Sequence, residues 1–124
     1  RNIGWKWAEG NWLEQRAVVA GLAEPRLLSD SQVVSQALVI FDQITTAFGE
    51  AVDRKAEDYR ILRQGVAYAW SVLVAADPAI GKPILERWFS SPDPDIRWVM
   101  RENLKKARLT RMDPEWVSRW LETL

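Results

Sequence analysis

An all-α fold is predicted by three features of this sequence: apolar residues recur at helical spacing, three Asp-Pro pairs mark helix starts, and no strand pattern competes. Asp77-Pro78, Asp93-Pro94 and Asp113-Pro114 each set a side-chain acceptor before a proline. The proline's fixed φ and missing N–H suit the first helical position. Three such starts within forty residues imply short helices. No segment alternates in polarity with β-branched enrichment, and no Asn-Gly or Asp-Gly hairpin signal occurs.

The first helix is expected from Asn11 to Ala23, with Asn11 and Glu14 at capping-box spacing and Trp12, Leu13, Ala17, Val18, Val19, Ala20 and Leu22 around most of its circumference. Ser29 and Gln32 repeat the capping spacing before a helix from Ser31 to Phe48. There Val33, Val34, Ala37, Leu38, Ile40, Phe41, Ile44 and Phe48 share one arc, polar residues fill the other, and Gly49 is a natural stop. From about Asp58 to Ala76 only Arg60, Gln64 and Ser71 make a narrow polar strip, which predicts a central helix covered on several sides. Gly81 reads as a turn before a helix from Pro83 to Phe89. The last two helices are predicted over Pro94 to about Arg108 and from Pro114 to the end, where Trp116, Val117, Trp120, Leu121 and Leu124 form a stripe.

With 124 residues, the chain has the size of one domain and can bury a core without disulfides or metal. Seventeen basic residues balance seventeen acidic ones, so no whole-protein field steers polyanions to it. With no histidine and no cysteine, imidazole acid/base catalysis, Ser-His-Asp triads, histidine- or thiolate-held metals and thiol redox chemistry are all excluded. Carboxylates remain. Asp93 with Asp95, and Glu57 with Asp58, are neighbours in sequence but would not face one another on a helix, and capping accounts for Asp58, Asp93 and Asp113. No phosphate-cradling glycine motif is present. The expectation is a non-enzyme without cofactor or metal. No signal-peptide pattern and no membrane-length apolar run occurs, so a soluble, cytoplasmic protein with no membrane contact is expected. The absence of an initial Met and the apolar repeat running to Leu124 suggest a fragment of a longer repeat protein or a trimmed form.

Three segments align: NWLEQRAVVAGL from Asn11, DYRILRQGVAYAW from Asp58 and DPDIRWVMRENL from Asp93. Each has a capping side chain, then an arginine (Arg16, Arg63, Arg97), then an apolar run. The arginines lie 47 and 34 residues apart, near the periods of helical-pair repeats. The segment SPDPDIRWVMRENLKKARL resembles the turn and second helix of a HEAT-type repeat, with Asp93 or Asp95 and Arg97 matching that family's turn aspartate and second-helix arginine. The resemblance implies a right-handed α-α superhelix of about three antiparallel helix pairs, an armadillo-type fold. It extends distantly to the helical-repeat DNA alkylation repair proteins through the tryptophans and WLEQRAVVAGL. Those proteins carry a basic concave cleft, from which this neutral chain departs. At least one of Arg16, Arg63 and Arg97 is expected to bond a carboxylate or loop carbonyl of the adjacent repeat, because an unpaired buried guanidinium is costly.

The candidate binding surface is Arg97, Trp98, Arg101, Lys105 and Arg108. On one continuous helix the four cations occupy one stripe, and Trp98 points away from the core arc of Ile96, Val99, Met100, Leu104 and Ala107. A basic stripe edged by an aromatic ring suits an acidic peptide or a phosphate backbone with a stacked base. Of the eight tryptophans, Trp70, Trp116 and Trp120 are expected in the core, while Trp5, Trp7, Trp12 and Trp88 are undecided; the three near the start are candidates for packing on a neighbouring repeat. The expected function is that of a scaffold for a protein partner or adjacent repeats. The alternative is a nucleic-acid binder.

Overall fold

A computed structural model describes residues 12–22 and 30–124, and among these described residues the regular elements are all helices. They are α1 (Trp12–Leu22), α2 (Ser31–Gly49), α3 (Glu57–Ala76), α4 (Pro78–Phe89), α5 (Pro94–Leu104), α6 (Ala107–Met112) and α7 (Pro114–Thr123). No helix among the described residues is long and apolar enough to cross a membrane.

All three Asp-Pro starts cap as expected. Asp77 accepts from the Ile80 N–H, Asp93 from those of Asp95 and Ile96, and Asp113 from that of Trp116, with the proline at N1 each time. Two other starts differ from expectation. The N-cap of α2 is Asp30, whose Oδ1 accepts from Gln32 and Val33, while Ser29 and Asn11 lie outside the described residues. Ala56 precedes α3, and Asp58 accepts only from the adjacent Tyr59 N–H.

The helix around Pro83 begins five residues earlier than expected, at Pro78. Pro83 sits inside α4 on its exposed side, where the carbonyl it leaves unbonded can face water. Gly81 is therefore no turn: it is buried within α4, where a Cβ would lie 2.9 Å from the Val74 Cα of α3. A larger residue would push the two helices apart.

Helix α3 is the axis of the molecule. It packs against α1, α2, α4, α5 and α6. Tyr59, Leu62, Val66, Ala69, Trp70, Leu73 and Val74 are buried along it. Trp70 is fully buried, crosses Phe41 edge-on at 5.6 Å and donates Nε1–H to Thr45 Oγ1 at 3.0 Å. Ser71, expected on the polar strip, is also buried; between the helix ends the exposed positions are Arg60, Ile61, Gln64 and Tyr68.

The order of contacts shows how the helices run. Between α3 and α5, Tyr59 and Arg63 meet Asp95, Val66 and Ser71 meet Asn103, and beyond the end of α5 Tyr68 meets Arg108. Residue numbers rise together on both sides, so α3 and α5 are parallel, with α4 connecting them. The same holds for α4 and α7, through Lys82 with Asp113 and Glu86 with Trp116. Phe89 closes that contact against Trp116 and Trp120.

The expected helix from Pro94 to Arg108 is broken. It ends at Leu104, Lys105 and Lys106 turn the chain, and α6 begins at Ala107. Leu104 and Leu109 are both fully buried. On one continuous helix they would diverge by about 140°, so the break lets both reach the core. Burial has overridden helical continuity here.

Candidate interaction face

The α3–α5 seam is held at one end by a charged knot. Arg54, in the loop between α2 and α3, has every donor group engaged. Its Nε–H is donated to the Ala51 carbonyl at 3.0 Å and Nη2 to the Gly49 carbonyl at 2.8 Å. Nη1 reaches Asp93 at 2.9 Å and Asp95 at 3.2 Å, and Nη2 meets the second Asp93 oxygen at 2.7 Å. Asp95 also accepts from the Tyr59 hydroxyl at 2.8 Å and Arg63 Nη1 at 2.9 Å. Asp93 and Asp95 therefore do converge, contrary to expectation, because Asp93 stands outside the helix as its cap.

This knot tunes its members. The Arg54 guanidinium holds the Asp93 carboxyl below its ordinary range, helped by the Ile96 and Asp95 N–H groups. Asp93 in turn raises Arg54. Burial first, then the bond to Asp95, keeps Tyr59 protonated well past the usual tyrosine value. Of the three aligned arginines, Arg63 bonds the Asp95 carboxylate, and Arg97 meets the carbonyls of Ser91 and Leu124 at 3.4 Å. Arg16 is exposed.

Midway along α3, where α5 ends, lies a neutral knot. Asn103, fully buried, donates Nδ2–H to the carbonyls of Val66 (3.0 Å) and Val99 (2.9 Å), while its Oδ1 accepts from the Ser71 N–H at 2.9 Å. Beyond it Arg108 donates to Ser71 Oγ at 3.0 Å and Tyr68 Oη at 3.1 Å, with its guanidinium 4.8 Å from the Tyr68 ring centre.

The five residues expected to form one stripe are split by this arrangement. Arg97 is turned to the C-terminus of α7 and Arg108 belongs to α6 and Tyr68. Lys105, now past the end of α5, pairs with Glu102 at 3.0 Å. Trp98 is half-buried under the Arg63 guanidinium, 4.5 Å from its ring centre. Arg101 makes no ion pair among the described residues.

Trp98 and Arg101 thus share one side of α5, with Lys105 at its C-cap. Across the seam, α3 presents Arg60, Ile61 and Gln64, which with Glu57 and Arg63 line a shallow depression of about 350 Å³. Together these form the open face of the two parallel helices. Sequence reasoning missed Arg54, Tyr59 and Tyr68. It left Asn103 unremarked although that residue falls on the apolar arc of α5, the one signal that could have exposed it.

Trp12 meets Tyr59 edge-on at 5.6 Å, and Trp88 donates Nε1–H to Asp42 at 2.8 Å, so both belong to the packed body. Trp5 and Trp7 lie outside the described residues. No family model matches the chain, and no curated protein or solved structure is significantly similar to it.

Proposed function

We propose that this chain is a non-enzymatic, HEAT-like helical-repeat module that binds a protein partner through the open face of α3 and α5. The observation that carries the reading is the pair of parallel, directly packed helices α3 and α5, joined through α4 and bonded at sequence separations of 32 to 37 residues. Stacked helix pairs produce this pattern, because each second helix lies beside the second helix of the next pair. Two side-chain bonds between α4 and α7 also rise together in sequence, across the intervening α5 and α6. The Arg63–Asp95 bond falls where the HEAT resemblance puts an inter-repeat contact. On this reading the chain is a stretch of about three pairs in a right-handed superhelix, acting in the cytoplasm.

A photo-cross-linking residue in place of Gln64, on the open face, tests it against the same residue in place of Gln36, exposed on α2. In cells, a discrete adduct from position 64 that disappears when Trp98 is changed to alanine supports the module. Equal labelling from both positions overturns it. The second reading, a nucleic-acid binder akin to the helical-repeat alkylation repair proteins, is favoured by half-buried Trp98 beside Arg101 and Lys105. It predicts that duplex or single-stranded DNA binds and that log K falls with log salt. Because Arg97, Lys105 and Arg108 are engaged internally, we expect no DNA binding even at low salt.

A further inference from the structure

The open face carries an uneven pattern of satisfied and unsatisfied charge. Arg63 and Lys105 each have a carboxylate, and Arg108 has Ser71 and Tyr68. Arg60 and Arg101 have none among the described residues. Arg63 uses one Nη on Asp95, but its Nε–H is buried with no acceptor. A buried donor left unbonded costs free energy, so the guanidinium lining the depression gains from any acceptor that lets it shift. Between these cations lies Trp98, half-buried, with the Arg63 guanidinium over its ring.

From this charge pattern we propose that the α3–α5 face binds an extended acidic peptide segment of a partner, whose carboxylates pair with Arg60 and Arg101 and whose intervening apolar side chain rests against Trp98 beside the Arg63 stem. This rests on the reading of the chain as a protein-binding module. The register sets the spacing. Arg63 stands level with Trp98, so Arg60 lies about 9 Å along the axis from the level of Arg101 at 1.5 Å per residue. Packed helices are about 8–10 Å apart, which places the two side-chain roots about 13 Å from one another. An extended peptide advances about 3.3 Å per residue and alternates its side chains. Acidic residues at i and i+4, with an apolar residue at i+2, then point to the same face with the required separation.

A phosphate backbone fits less well. It needs a run of evenly spaced free cations, whereas this face offers two, bordered by Glu57 and Glu102. A bidentate guanidinium–carboxylate pair needs only one cation at each point.

The test uses a fluorescein-labelled peptide with the core Glu-Gly-Leu-Gly-Glu, followed by anisotropy at low salt against the full chain. Binding is expected, with at least a tenfold loss for Arg60→Glu or Arg101→Glu and for the peptide carrying Gln in place of both Glu. Arg111→Glu, exposed on α6, should leave it unchanged. Circular dichroism checks that each variant folds. No binding to the folded chain, or equal losses for Arg111→Glu, overturns the acidic-peptide proposal; a Trp98-dependent cross-link from position 64 would then still uphold the module. Single-stranded DNA competing better than the peptide, and losing to Arg101→Glu, overturns both.

Discussion

The two knots on the α3–α5 seam solve one problem, fixing the register of parallel helices, by opposite means. The end knot uses full charges in a partly open site: Arg54, Asp93 and Asp95 keep 27%, 18% and 19% of their side-chain surface. The middle knot uses a neutral amide with no exposure. Charge is affordable only where water still reaches it, since desolvating an ion pair consumes most of its Coulomb gain. The buried amide gains its hold from geometry, as its donor and acceptor match a carbonyl and an N–H on α3.

The largest effect expected from this contrast is at Asn103. Asn103→Ala leaves a cavity and strips the Val66 carbonyl and Ser71 N–H of their cross-seam partner. A loss of about 3 kcal/mol follows from the cavity and the lost bonds together. The urea midpoint should fall accordingly, by the same amount at low and high salt. A loss that shrinks markedly with salt would break the distinction between the knots.

Arg54→Met should cost less, about 2 kcal/mol, because the aspartates it abandons are partly hydrated. Its signature is pH dependence. Asp93 has a folded value below its unfolded one, so its contribution is complete above the ordinary carboxylate range near pH 4 and disappears as pH falls through the depressed value. The stability gap between wild type and Arg54→Met should therefore narrow in acid. Urea titrations at descending pH measure it, and a gap that stays constant would show that Arg54 acts by its bonds to the Gly49 and Ala51 carbonyls alone.

The same contrast separates what was legible in the sequence from what was not. Side chains that act within their own helix were readable, as Asp77, Asp93 and Asp113 capping their prolines show. The apolar arc of α2 was readable too, because periodicity is a local signal. Arg54 was not, since it stands in a charged loop and its partners lie 39 and 41 residues away. The break at Lys105–Lys106 has no glycine, proline or side-chain cap to announce it, and arises because Leu109 is drawn into the core. That break divided the expected basic stripe. Asn103 lies between these cases, visible as a polar residue on an apolar arc but without a partner until α3 is placed beside it.

The smallest effect expected is at Tyr59, which belongs to both the core and the charged knot. Its ring stacks on Phe48 at 4.8 Å, while its hydroxyl donates to Asp95. Tyr59→Phe keeps the stack and removes one bond to a carboxylate that stays partly hydrated and keeps two arginine partners, a cost of about 1 kcal/mol near neutral pH. In alkali the difference should vanish and then reverse. Tyr59 has a folded value raised above the unfolded one, so the stability tied to its protonated form is complete below about pH 10 and is lost as pH rises through the folded value. Wild type therefore loses stability above about pH 10 through a group that Tyr59→Phe does not possess, and the variant's curve should be the flatter of the two. Phenolate absorbance, followed with the denaturation midpoint over that interval, checks the assignment. If the two proteins lose stability in parallel, the hydroxyl is not held by Asp95 in solution, and the charged knot consists of the arginines and aspartates alone.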